Sequence, residues 1–357
     1  MTNSFPNLNF NRRRRGPLPI VIGILVVASI ALVSLSGFYA DWLWFKSVDF
    51  TEVWSTILLT KATVFVIAGL ATSLVITLNV YIAFRKRPLY VPLTSEADNI
   101  ERYRSQIEPI RRLVLVGLAL VLFYFGGSSA SQLWDTWLLF RNATPFGVTD
   151  PQFGLDISFF AFKLPMYQAL VGWAISTLVF AIIGSAIVHY LYGGIRPQVA
   201  QERTTVAARV QLSVLLGLVV LLKAVAYWLD RYALALKENR LITGLTYTDV
   251  NALLPAKAIL AGIAVICSLL FFANIVRKSW LLPAAGTALL VVSSVLIAGI
   301  YPAAIQQFQV KPSESSKEAP FIQRNIDATR DAFGLSAVEV KDFQATLNAS
   351  AGQLSKD

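Results

Sequence analysis

The feature that most constrains this chain is the run Leu18 to Tyr39, almost free of charge and placed directly after Arg12, Arg13, Arg14 and Arg15. About twenty apolar residues at a rise of 1.5 Å each are enough to cross the hydrocarbon core of a bilayer. Four arginines on one flank, against Asp41 and Asp49 on the other, predict an amino terminus held in the cytoplasm by the positive-inside bias. The apolar core is too long for a signal peptide and no A-x-A-like site follows it, so the segment reads as a retained helix.

Of 357 residues, 55% are hydrophobic and only 15% charged, whereas a soluble domain carries about a quarter charged residues. The composition therefore predicts a polytopic membrane protein of the cell membrane. The formal net charge of +10 sits in short loops between apolar runs, which is a topology signal and not a nucleic-acid footprint. One cysteine, Cys267, and one histidine, His189, exclude an intramolecular disulfide and the usual Cys/His zinc sets. A hard-cation site built from carboxylates stays open but has no motif, and no phosphate-binding glycine loop is present, so no metal or cofactor is assigned.

Hydropathy and turn residues place seven spans at about 18–39, 56–84, 113–140, 166–192, 210–229, 255–276 and 280–301. The expected fold is an all-α membrane bundle of seven transmembrane helices over residues 18–301. A cytoplasmic basic lead over 1–17 precedes it, and an extracytoplasmic soluble stub over 302–357, either the start of a larger domain or a docking arm, follows. Predicted cytoplasmic segments hold sixteen Lys and Arg against six in the outside loops, with Arg85, Lys86 and Arg87 marking the first return to the cytoplasm. The basic loop that follows, to Arg112, is a candidate contact for anionic lipid.

Trp42, Trp44, Phe45 and Trp54 are expected at the headgroup level. Gly126-Gly127-Ser128-Ser129-Ala130-Ser131 in the third span reads either as a close-packing surface or as a place for the helix to bend. Asp150-Pro151 starts a turn in which Gly154 permits a positive φ, and the aromatic run after it lies in the interface, closed by Pro165. Pro255 opens the sixth span. Lys311 to Lys317 reads as a linker, Glu318 to Phe333 as an amphipathic helix with Ile322, Ile326, Thr329 and Phe333 on one face, and Val338, Val340 and Phe343 as a strand.

Three of these stretches, DPQFGLDISFFAFKLP (Asp150 to Pro165), YTDVNALLPA (Tyr247 to Ala256) and FQVKPSESSKEAPFIQRNIDATRDAFGL (Phe308 to Leu335), resemble the signature blocks of uncharacterised protein family 0182. That resemblance covers essentially the whole chain. It implies a seven-helix membrane part followed by a large extracytoplasmic domain in a bacterial integral membrane protein, and marks this chain as an amino-terminal portion. It supplies no catalytic or binding residue.

Charged residues within spans are functional candidates because their burial in hydrocarbon is costly. Lys61, Asp135, Lys223 and Lys257, with Asp230 at the rim, fall in the outer halves of their helices and form a candidate intramembrane polar cluster, Asp135 and Lys223 lying deepest. Lysines so near the interface can equally snorkel outward. Ser128 and His189 fall at different depths, which argues against a serine nucleophile with a histidine base. Three function classes result. An anchor or assembly platform for an extracytoplasmic domain acting in the cell envelope is favoured over a transporter, channel or lipid-handling protein, and an enzyme comes last. Expected partners are the bilayer and either envelope proteins or further copies of the chain.

Overall fold

The computed structural model of the chain describes residues 18–88, 105–106, 108–197, 203–239, 242–277 and 281–339. Arg12 to Arg15 and the rest of the 1–17 lead, together with Arg102, Arg104, Lys278, Val340 and Phe343, lie outside them. The described residues are helical, with three isolated antiparallel bridges and no strand. Seven helical stretches are long and apolar enough to cross a membrane. The chain divides into two compact units, one through Val64 and one from Phe65 onward.

The first unit holds α1 (Leu18–Ser47) and the opening turns of α2 (Thr51–Arg85). Helix α1 continues past Tyr39, so Trp42, Trp44 and Phe45 lie within its last turns. The turn between the helices places Asp49 at φ +57°, a conformation that aspartate tolerates better than most side chains. The Phe50 amide donates to the Phe45 carbonyl at 2.9 Å, and the Phe38 and Trp54 rings meet at 4.9 Å, so the turn is clamped by aromatic side chains.

The second unit contains the rest of α2, α3 (Arg111–Ser131), α4 (Trp134–Arg141), α5 (Leu164–Leu191), α6 (Val206–Ala233), α7 (Leu254–Arg277) and α8 (Leu281–Ser293). The third predicted span is thus two helices, with the break at Gln132 and Leu133, immediately after the glycine and serine run. The same run is also a contact surface. A Cβ on Gly127 would lie 2.7 Å from the Phe65 carbonyl oxygen, and one on Gly69 would lie 2.6 Å from that of Phe123. Glycine at both positions lets α2 and α3 approach backbone to backbone.

Prolines shape one end of the unit. The expectation that Pro165 closes the aromatic run is corrected, because residues 157–191 are continuously helical. Pro165 and Pro255 each follow a wide π-helical turn, Phe159–Lys163 and Asp249–Leu253. Beyond α8 the chain passes through two more such turns, Ser294–Ile300 and Ile305–Val310, on either side of α9 (Tyr301–Ala304), where Pro302 sits. A proline ring crowds the carbonyl four residues back and offers no amide hydrogen. In each case the bond ahead of the proline reaches five residues back instead, as from Leu164 to the Phe159 carbonyl and from Leu254 to the Asp249 carbonyl, which relieves the crowding without ending the helix.

The last span therefore does not stop at Tyr301. Lys311–Ser313 is a short 3-10 turn and α10 (Glu314–Ala332) follows directly, so the linker expected over Lys311 to Lys317 is helical. Pro312 and Pro320 do not interrupt it. Val338 is extended but belongs to no strand.

Two apolar clusters hold the helices of this unit. One joins Val220 and Ala224 of α6 to Ala264, Cys267 and Phe271 of α7, and the other joins Ile76 and Val80 of α2 to Ala181 of α5 and Leu215 of α6. Polar joints supplement them: Ser73 donates to the Ala119 carbonyl at 2.8 Å, Trp173 to the Thr72 hydroxyl at 3.1 Å and Asn274 to the Ser213 hydroxyl at 2.7 Å. Gln211 is a hub, its amide donating to the Asn79 carbonyl at 2.9 Å and to the Ser185 hydroxyl at 3.2 Å, while its carbonyl faces His189 Nε2 at 3.0 Å. With the Gln211 carbonyl as acceptor, the histidine proton sits on Nε2.

Candidate functional site

Within the second unit, the segments 142–158, 234–239 and 242–253 and the helix after residue 305 share one end of the bundle, and there the three sequence blocks converge. The first block folds on two aspartates. Asp150 accepts the Gln152 and Phe153 amides at 2.9 and 2.7 Å, and Gly154 follows at φ +65° as the turn requires. Asp156 accepts the amides of Ser158, Gly147 and Phe146 at 2.8, 2.9 and 3.1 Å. The Ser158 hydroxyl and amide, then the Phe146 amide, hold the Asp156 carboxyl down at about 2, because each donor favours the ionised form.

A group depressed in the folded state adds stability that is complete above its unfolded pKa and is lost as pH falls through the folded one. Amides of residues 146–158 are accordingly expected to keep their hydrogen-exchange protection down to about pH 4 and to lose it between there and about pH 2. Asp156→Asn should abolish that acid transition, and an unchanged one would show that Asp156 does not order the loop.

The second block begins with a reciprocal helix cap. The Thr246 hydroxyl accepts the Asp249 amide at 3.4 Å, and Asp249 Oδ2 accepts the Thr246 amide at 3.0 Å and its hydroxyl at 2.7 Å, the pattern of a capping box. Asp249 is fully buried. Its Oδ1 accepts Lys237 Nζ at 2.8 Å, and Asn239 Nδ2 lies 3.4 Å from its Oδ2. Both oxygens of this carboxylate are engaged, by four donors in all, which is what its burial demands.

The third block closes over this cap. Glu318 of α10, 4% exposed, accepts the Tyr247 amide, with its oxygens at 3.0 and 3.3 Å. A carboxylate at the start of a helix meets both an orphan amide and the positive end of the macrodipole. Lys317 lies over the Tyr247 ring at 4.7 Å. Thr248 hydrogen-bonds Gln306, Asn325 donates to the Thr243 carbonyl at 2.8 Å, and Arg324 reaches Gln152 of the first block at 3.3 Å. Between these parts lies a cavity of about 320 Å³, with Lys237, Asp249, Gln306, Glu314 and Glu318 among its lining residues. A smaller one of about 160 Å³ is bounded by Gln152 and Arg324.

The five charged residues singled out in the sequence are distributed differently. Lys257 Nζ and Asp230 Oδ2 pair at 2.9 Å. Asp135 is exposed and accepts the amide of its neighbour Thr136 at 2.7 Å, while Lys223 is exposed with its ammonium 4.8 Å from the Tyr227 ring centre. Neither lines either cavity. Lys61 belongs to the other unit. His189, weighed as a base for Ser128, is engaged with Gln211 instead.

Sequence reasoning did not single out Lys237, Asp249, Gln306 or Glu318. The one signal for them was the Thr246-x-x-Asp249 spacing ahead of an apolar run, which marks a helix start but not what covers it.

Residues 18–357 match the model of a family described as Uncharacterised protein family (UPF0182). Among similar proteins, a UPF0182 protein of Streptomyces coelicolor is 46% identical over 93% of this chain and 34% of its own length. UPF0182 proteins of Nocardioides and Thermobifida fusca are 46% and 44% identical over 98% and 96% of this chain, and 35% and 34% of theirs. The chain spans about a third of the length of these curated relatives. No solved structure matches it.

Proposed function

The chain belongs to the uncharacterised protein family UPF0182, and on that premise we propose that it is a multi-pass membrane anchor whose loop end is an assembly platform for an extracytoplasmic domain of the cell envelope. Its amino terminus and the loops after α2, α5 and α7 are cytoplasmic in this reading, and the end where the three blocks converge is outside. The lysine and arginine bias of the loops supports the orientation. Large apolar side chains exposed along the helices, such as Leu113, Phe125 and Val276, support contact with lipid, and the basic loop before α3 suits anionic headgroups.

The observation that carries the reading is the Glu318 to Tyr247 lock. It fixes α10, continuous with the last span, onto the start of α7, so whatever follows α10 starts from a held position. The Lys257 and Asp230 pair supports an anchor over a transporter, since these charges satisfy one another.

Two measurements test this. On a Cys267→Ala background, Ser315→Cys should react with a membrane-impermeant thiol reagent in intact cells, and Val206→Cys only after permeabilisation; the reverse pattern would reject the orientation. Glu318→Ala removes the acceptor of the Tyr247 amide, at a cost of about 1–3 kcal/mol. Amide exchange at Tyr247 and along α10 should then accelerate tenfold or more, whereas Glu318→Gln should keep the protection. Exchange at the wild-type rate in Glu318→Ala would show that the platform is not held there.

A further inference from the structure

We propose that the cavity beside Glu318 binds a small organic molecule carrying a protonated amine, an oxygen acceptor close to it and a short apolar part. Two carboxylates at this end are buried, and they differ. Asp249 receives four donors, from Lys237, Asn239 and both the amide and hydroxyl of Thr246. Glu318, at 4% exposure, receives one N–H, shared by its two oxygens. A carboxylate offers about four acceptor sites, and a buried charge held by a single neutral donor is far from compensated. Glu318 is among the residues that line the cavity.

The surroundings set the sign of the partner. Asp249 and Glu318 line the cavity against one ammonium, Lys237, which lies 2.8 Å from Asp249. Lys317, next to Glu318 in sequence, is turned to the Tyr247 ring and its hydroxyl. The cavity therefore carries an excess of negative charge and disfavours anions. Among the described residues no three His, Cys, Asp or Glu side chains are grouped so as to hold a metal ion, and the apolar part of the lining suits an organic cation.

The remaining lining gives the rest of the ligand. Gln306 engages Thr248 through its carbonyl oxygen, which directs its amide N–H groups to an acceptor such as a hydroxyl. Ile242, Leu253 and Ile322 supply an apolar wall. An amino alcohol satisfies all three demands, either as a free solute or as the headgroup of a lipid.

Ethanolamine is the probe. With the full chain purified in detergent, millimolar ethanolamine should raise the unfolding midpoint saturably by about 2 °C. Sodium chloride at equal ionic strength, calcium chloride and tetramethylammonium, which cannot donate a hydrogen bond, should not. Glu318→Gln keeps an acceptor for the Tyr247 amide but loses the charge, so its amide exchange should stay protected while its response to ethanolamine weakens about tenfold or more.

Carbodiimide activation in the presence of ethanolamine should attach the probe to Glu318, read as added mass on that peptide. That second measurement needs no variant. A midpoint shift produced by phosphatidylethanolamine in nanodiscs, without one from the free amine, would assign the amine to a lipid headgroup. No response to either source, an equal response in Glu318→Gln, or a response to calcium in place of ethanolamine would overturn the proposal. A failed lock in Glu318→Ala exchange would leave these readouts independent of it.

Discussion

Asp249→Ala is expected to destabilise the second unit by about 3 kcal/mol, more than any other single polar substitution at the loop end. Removing one member of a buried ion pair strands its partners, and such losses run to about 3–5 kcal/mol. The lower figure applies because the Lys237 side chain is 42% exposed and can rehydrate its ammonium. What cannot rehydrate as easily is the cap: the Thr246 amide and hydroxyl and the Asn239 amide lose their shared acceptor together. Asp249→Asn keeps an acceptor oxygen of the same shape and should cost about 1–2 kcal/mol. Thermal unfolding in detergent micelles, with limited proteolysis after Lys237 as a local readout, measures both. An Asp249→Ala protein that melts with the wild type and resists cleavage would mean that the cap is not what holds this end.

Gly69→Ala and Gly127→Ala should each cost about 1–3 kcal/mol, the usual range for forcing extra volume into a packed site. The added methyl group would meet a backbone carbonyl at 2.6 and 2.7 Å respectively, and backbone cannot swing aside as a side chain can. Alanine at Gly117, in the same helix as Gly127 but with nothing within 4 Å of its Cβ position, should instead be neutral or stabilising by up to about 1 kcal/mol, since alanine favours the helix. The contrast separates packing from propensity. Equal midpoints for Gly117→Ala and Gly127→Ala would show that α2 and α3 do not meet at these glycines.

How much of this was legible in the sequence depends on the distance over which each feature is written. The helices are written locally, in apolar runs longer than a bilayer core, and their number followed from reading those runs. The helix ends were less legible, because a proline normally reads as a stop, yet Pro165, Pro255 and Pro302 sit inside continuous helical stretches. The wide turns that admit them leave no periodicity to detect. The polar site was hidden for another reason: Lys237, Asp249 and Glu318 are ordinary loop and surface residues until α10 folds back, and that contact joins positions 71 residues apart. Asp135 and Lys223 attracted notice as charges within apolar runs, but a run does not show which side of a helix is covered, and both are exposed.

The wide turns are where the loop end can absorb a change of chain length. Each holds one residue more per turn than an α-helix, so deleting a single residue from Phe159–Lys163 would restore ordinary winding and leave α5 facing as it does. A deletion between Gln168 and Gly172, within ordinary α-helix, would instead turn the rest of α5 through about 100° about its own axis. Thr177, Ala181, Ser185 and His189, spaced four apart along its buried side, would leave that side together, and Ser185 and His189 would lose Gln211. Length is thus negotiable ahead of Pro165 and fixed beyond it.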